Sequence, residues 1–145
     1  MSDTGLPEYT AFAEHLRQGQ LCFPRCRDCG QFHWYPKPAC PHCQSSSIDW
    51  QGVAGPGEIF SYTIVRHAFD EKWRGALPYI VALVTFRDAP GVRLVTNLVG
   101  VEPPESLRIG AAVQPIFPVS DTSETRVLFR LVDPLASRGA DGERV

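Results

Sequence analysis

A mainly β chain built around a cysteine-rich hairpin is what this sequence predicts, on three observations. Four cysteines fall in two Cys-x-x-Cys pairs, Cys26 with Cys29 and Cys40 with Cys43, separated by a ten-residue arm. Five later runs are rich in β-branched and aromatic residues, several of them alternating apolar and polar, as half-buried strands do. Between these regions lies Gly52-Val53-Ala54-Gly55-Pro56-Gly57, a passage that interrupts regular structure and separates one unit from the next.

At 145 residues and 43% hydrophobic composition, the chain suits one domain or two small ones sharing a core. Met1 to Pro7 carries neither the basic segment nor the apolar run of a signal peptide, and no stretch reaches the ~18 apolar residues of a membrane span, so a cytoplasmic location and no membrane partner are expected. Thiols stay reduced in that compartment, which favours a metal over disulfides and leaves Cys22 as an odd cysteine packing as a small apolar side chain. A net charge of -2 and a pI near 6.1 give no general attraction to polyphosphate and weigh against nucleic acid. Arg17, Arg25, Arg27 and Lys37 do gather in or beside the cysteine region, either as a local anion site or as a solvated basic surface.

The first 20 residues contain one short helix. Tyr9, Phe12, Ala13 and Leu16 recur at helical spacing, and Gly19 marks the end. So short a helix needs its apolar stripe covered, by the next part of its own chain or by a partner. Residues 21–50 then form a rubredoxin-like zinc ribbon. Two Cys-x-x-Cys turns aim four thiolates at one point, the tetrahedral soft-donor set that Zn²⁺ prefers. Gly30 lets the chain turn back after the first knuckle and Pro41 stiffens the second. A thioredoxin-like redox pair would need a βαβ context, disulfides would need export, and a catalytic zinc would need an open coordination position, which four thiolates close. One structural Zn²⁺ with inert chemistry is therefore expected, with His33 and His42 outside its shell. Gln20 to Phe23 and Gln31 to Tyr35 are read as the strands entering and leaving the first knuckle, Gln44 to Ser47 as a polar turn, and Phe32 and Trp34 either as cover for the metal or as a binding surface.

Residues 51–133 read as five strands, Ile59–Phe69, Tyr79–Arg87, Val92–Val99, Ala112–Val119 and Arg126–Val132. A hairpin turn over Asp88-Ala89-Pro90-Gly91 joins the second and third, and a longer link with one turn of helix at Pro103-Pro104-Glu105-Ser106-Leu107 precedes the fourth. Five short strands so connected match a small Greek-key barrel, with the OB-fold the best fit. Pro115 and Pro118 confine the fourth strand to an edge or a bulge. The small, charged segment 134–145 reads as a disordered tail.

Taken in order, the short helix, the Cys26/Cys29/Cys40/Cys43 ribbon, Gly55-Pro56-Gly57-Glu58-Ile59-Phe60-Ser61-Tyr62, Pro78-Tyr79-Ile80-Val81-Ala82-Leu83-Val84 and Asn97-Leu98-Val99-Gly100 resemble the DUF35 family over roughly residues 9 to 133. The resemblance implies a zinc-ribbon and OB-fold protein that accompanies acyl-CoA chemistry and binds thiolase-superfamily enzymes, among them thiolases, acyltransferases and retro-aldolases that shorten steroid side chains. In such complexes the thiolase-like subunit holds the nucleophile or base, and the small protein supports it or helps position the CoA ester. The chain reads as a stand-alone unit, so a separate partner chain in a heteromeric complex is expected.

Nothing in the sequence carries a reaction alone. It has no Gly-x-Ser-x-Gly elbow, His-Glu-x-x-His pair or phosphate loop, and Gly55-Pro56-Gly57 is too short for a dinucleotide fingerprint. His67, the one barrel histidine, has no partner legible in sequence and is read as a surface residue. A binding site is easier to place, because OB-folds present ligands to strands 2 and 3 and to neighbouring loops. Arg66 lies within the first barrel strand, and in the following loop Trp73 stands between Lys72 and Arg74. Three readings fit that indole: stacking on the adenine of CoA, anchoring an enzyme interface, or folding back on the barrel. Phe32, Trp34, Lys37, Arg66, Lys72, Trp73 and Arg74 are thus the candidates for CoA or partner binding. The competing expectation is a single-stranded nucleic-acid binder, and a free-standing acyl-CoA enzyme is a third.

Overall fold

The computed structural model describes residues 7–118 and 126–132. Helix α1, Pro7–Arg17, opens on a proline, whose fixed φ and missing amide suit a first helical position. It ends where Gly19, at φ +75°, donates to the Leu16 carbonyl at 2.9 Å. Its stripe is covered by the ribbon of the same chain: Phe12 and Leu16 are buried, and the Phe12 ring lies 4.7 Å from Trp34 and 6.1 Å from Phe23.

The ribbon is a two-stranded antiparallel sheet. Strand β1, Cys22–Cys26, pairs with β2, Ile48–Gly52, from Cys22 opposite Gly52 to Cys26 opposite Ile48. Sequence reading has no β2, because Asp49, Gln51 and Gly52 are poor strand formers; pairing with β1 holds them extended regardless. The outgoing strand expected over Gln31 to Tyr35 does not form. One bridge, Phe32 opposite Arg25, the Cys26 amide on the Gln31 carbonyl at 3.0 Å and the His33 amide on the Pro24 carbonyl at 3.1 Å are what continue the pairing. Pro36 and Pro38 follow at once, and their missing amides and their constraint on the preceding residues end it.

The second unit is a closed barrel. Its strands are β3 (Gly57–Val65), β4 (Tyr79–Phe86), β5 (Ala89–Val99), β6 (Ala112–Ile116) and β7 (Leu128–Leu131), in the spatial order β3-β4-β5-β7-β6. All contacts are antiparallel except β5 with β7, and β6 closes the barrel on β3 through Ala112 and Val113. Pro115 lies past that closing pair, where its missing donor costs nothing. Along β4, Ile80, Ala82, Val84 and Phe86 point inward as their alternation requires. A 3₁₀ turn at Pro104–Ser106 occupies the long link.

Several expected boundaries shift, among them the ends of β6 at Ile116 and of β7 at Leu128 and Leu131, inside the expected 112–119 and 126–132. The β4–β5 turn is Arg87-Asp88 alone, because Ala89 is buried and already pairs with Phe86; Pro90 and Gly91 then form a bulge, with Gly91 at φ +89°. Strand β3 stops at Val65, so Arg66, His67 and Phe69 belong to the following loop. That loop carries a short helix α2, Glu71–Arg74, capped by the Asp70 carboxylate accepting from the Lys72 amide at 3.1 Å. The expected tail 134–145 lies outside the described residues.

Ribbon and barrel share one core. The Phe23 ring, fully buried on β1, lies 5.1 Å from Phe86, and Phe86 lies 6.0 Å from Phe129 at the barrel centre. Gly57 marks a second close approach, since a Cβ there would fall 2.4 Å from Val84 Cγ1 and 3.3 Å from the Thr85 carbonyl oxygen. Gly57→Ala is therefore expected to destabilise the protein by about 1–3 kcal/mol through overpacking, read as a lower urea midpoint at unchanged slope.

Candidate metal centre and binding surface

The two cysteine knuckles repeat one local geometry. In the first, the Gly30 amide donates to the Cys26 carbonyl at 2.9 Å and the Cys29 amide to Cys26 Sγ at 3.4 Å. In the second, the Gln44 amide donates to the Cys40 carbonyl at 2.8 Å and the His42 amide to Cys40 Sγ at 3.3 Å. Each knuckle closes on a left-handed residue, Gly30 at φ +76° and Gln44 at φ +70°. A side chain is tolerated in αL at the second, for which glutamine gives no signal in sequence.

These turns bring the four sulfurs within 4.8 Å of one another, with Cys26 and Cys43 at 3.5 Å and Cys29 and Cys40 at 3.7 Å. A tetrahedron of ~2.3 Å Zn–S bonds has edges of about 3.8 Å, so the donor set fits the ion. Cys26 and Cys40 are buried, while Cys29 and Cys43 face solvent. The Cys29 amide holds the Cys26 thiol down at about 6. Although the Ser45 amide opposes it, the bond to Cys26 pushes Cys43 up to about 12. Among the described residues no histidine or carboxylate joins the cluster. His42 Nε2 lies 3.3 Å from the Phe32 carbonyl, tying the second knuckle to the arm. His33 is 5% exposed with neither ring nitrogen bonded, and burial lowers its pKa.

Around the cluster, Arg27 clamps Asp49 of β2 with two bonds of 2.6 and 2.7 Å, which lower the carboxyl's pKa. Of the arm residues, Phe32 is buried under the Arg25 guanidinium, 5.8 Å above its ring, and Trp34 is half-buried among Phe12, Phe23 and Tyr35. Lys37 is exposed.

The other candidates sit apart, on the loop between β3 and β4. Arg66 is paired with Glu105, Lys72 Nζ lies 3.9 Å from Asp70 and Arg74 lies 3.7 Å from Glu71. Trp73 is 43% exposed, with Lys72 Nζ 5.5 Å from its ring centre and the Tyr79 ring at 6.1 Å. Phe69, which sequence reading left inside a strand, is 92% exposed and touches His67 edge-on at 4.8 Å. On the outward face of β4 and β5, Leu83 stands opposite Val95, and Val95 and Val99 are exposed. Phe60 on β3 is capped by Arg93, whose guanidinium lies 4.2 Å from the ring.

Fold and site together define a zinc-ribbon and OB-fold protein. Two family models match consecutive parts of the chain, the rubredoxin-like zinc ribbon domain of ChsH2 over residues 13–49 and the C-terminal OB-fold domain of ChsH2 over residues 50–117. The chain belongs to this DUF35 family of ChsH2-type proteins. A solved structure described as the Ltp2-ChsH2(DUF35) aldolase is similar with a TM-score of 0.78 at 32% identity, the match covering 90% of this chain and 98% of that one. A DUF35 protein of unknown function from Sulfolobus solfataricus shares the fold, with a TM-score of 0.62 at 22% identity over 90% of this chain and 89% of that one. In sequence, the chain is 37% identical over 123 residues to a probable enoyl-CoA hydratase alpha subunit from Thermomonospora curvata, covering 83% of this chain but only 36% of that protein's length. It is 29% identical over 107 residues to a DUF35 domain-containing scaffold protein from Pyrococcus furiosus, covering 74% of this chain and 68% of that one. Among the described residues no helix is long and apolar enough to cross a membrane.

Proposed function

We propose that this protein is a non-catalytic accessory subunit in a reducing, cytoplasmic compartment. It binds a thiolase-superfamily enzyme acting on acyl-CoA thioesters and holds one structural Zn²⁺ through Cys26, Cys29, Cys40 and Cys43. The observation that carries the reading is the contrast between the two surfaces. The reactive side chains are gathered into a closed four-thiolate set, with no position for substrate, while the second unit leaves Phe69, Trp73, Val95 and Val99 in solvent. A largely exposed phenylalanine and a half-exposed indole are anchors suited to a protein interface. The aldolase and scaffold-protein relatives point the same way. Lys72 and Arg74 already have carboxylate neighbours, which favours Trp73 as an interface anchor over a phosphate-flanked stacking platform.

The test is copurification with thiolase-superfamily enzymes from the same organism. A stable complex is expected, weakened at least about tenfold in Phe69→Ala and in Trp73→Ala while metal content and folding stay unchanged. A partner that ignores this chain, or turnover of CoA esters by this chain alone, contradicts the proposal. Binding of CoA by the isolated chain, lost in Trp73→Ala, would reassign that indole to the ester.

A further inference from the structure

A cleft of about 460 Å³ opens where the ribbon meets the barrel. Arg25, Gln31 and Phe32 line it from the first knuckle and arm, Gln51 from β2, and Asp88 and Pro90 from the β4–β5 hairpin. The cleft is partly open to solvent, and its lining mixes the polar side chains of Arg25, Gln31, Gln51 and Asp88 with Phe32 and Pro90. Small-molecule sites are concave and mostly apolar, and bury most of their ligand; this one would leave a small ligand wet.

Apart from the Arg25 contacts to the Gly30 carbonyl and the Phe32 ring, its polar side chains are unpaired among the described residues. Arg25 uses only Nε, donating to the Gly30 carbonyl at 3.0 Å, while its neighbour Arg27 is spent on Asp49. Among the described residues, neither Arg25 nor Asp88 forms an ion pair, and the Gln31 and Gln51 side chains make no hydrogen bond. A cation, two amides and a carboxylate, drawn from both units, can serve an extended backbone. The amides can pair with peptide groups, the guanidinium can take a carboxylate in a forked contact, and Asp88 can accept from an amide or a cation.

We infer that this cleft seats an extended segment of the partner enzyme bearing an acidic side chain or terminal carboxylate against Arg25. The inference rests on the accessory-subunit reading and adds a second, polar contact to the apolar one on the barrel. By bridging ribbon and barrel, the segment would make docking depend on the shape that the metal maintains.

The experiment uses the full chain and the thiolase-superfamily enzyme that copurifies with it. A photoreactive residue replacing Gln51 is expected to cross-link to a partner segment containing Asp or Glu. Arg25→Glu should weaken the complex about tenfold or more, and reversing the acid found in the cross-linked segment to Arg should restore it. Because Arg25 also braces Gly30, Gln51→Glu provides a second variant on an exposed strand position; it should weaken binding with metal content and melting temperature unchanged. Cross-links only to segments without acids, or full affinity in both variants, overturn the inference while leaving the accessory role intact. Absence of any complex with the wild-type chain overturns both.

Discussion

Cys40→Ser is expected to abolish metal binding and to unfold residues 21–50. Cys40 Sγ is buried, lies 3.7 Å from Cys29 Sγ and accepts the His42 amide, so its loss removes a ligand and frees the second knuckle at once. A serine hydroxyl is a hard, protonated donor at neutral pH and a poor substitute for a thiolate. Structural zinc contributes on the order of 10 kcal/mol to small ribbon folds, more than the whole net stability of many domains. Backbone pairing within the ribbon is limited, to two five-residue strands and one isolated bridge, so the metal is what closes the knuckles. Metal analysis should give one zinc per wild-type chain and none in Cys40→Ser, and a chelator should reproduce the variant's loss of ribbon signals in an NMR spectrum. Cys22→Ala is the control. Cys22 is buried outside the cluster, so this variant should keep its metal. Stoichiometric iron, or a Cys40→Ser chain that keeps the ribbon folded, would contradict the assignment.

How much of this was legible beforehand depends on how local each signal is. The metal cluster was readable because a Cys-x-x-Cys turn sets the relative placement of its own two sulfurs, leaving only the meeting of two turns to the fold. The inward face of β4 was readable for the same reason, since alternation is a property of one strand. What failed was decided at a distance. Ile48 to Gly52 is a strand only because β1 runs beside it, and the arm after Phe32 fails to be one because two prolines end its pairing. Nor could the sequence say which aromatics turn inward. Phe32 and Trp34 pack against the core whereas Phe69, placed in a strand by composition, lies on the loop, and that sorting follows from where β3 stops.

Phe23→Ala should cost about 3–5 kcal/mol and lower the melting temperature by roughly 10 °C or more, with ribbon and barrel falling together. The reason is the position of this one ring. Phe23 is fully buried on β1, three residues before the first metal ligand, and touches helix, arm and barrel: Phe12 at 6.1 Å, Trp34 edge-on at 5.2 Å and Phe86 at 5.1 Å. Truncation leaves a cavity where three elements converge, and none can collapse into it without dragging its own anchors. Trp34 is held by Phe12 and Tyr35, and Phe86 by its strand and by Phe129. Two separate small domains would respond differently, the ribbon loosening while the barrel melted at its wild-type temperature. Monitoring metal release and barrel unfolding in the same melt separates these outcomes. Coincident transitions, both shifted downward, would show that the metal site and the barrel surface bearing Trp73 are held by one core. The closed thiolate set then fixes, through Phe23, the orientation of surfaces that it never touches.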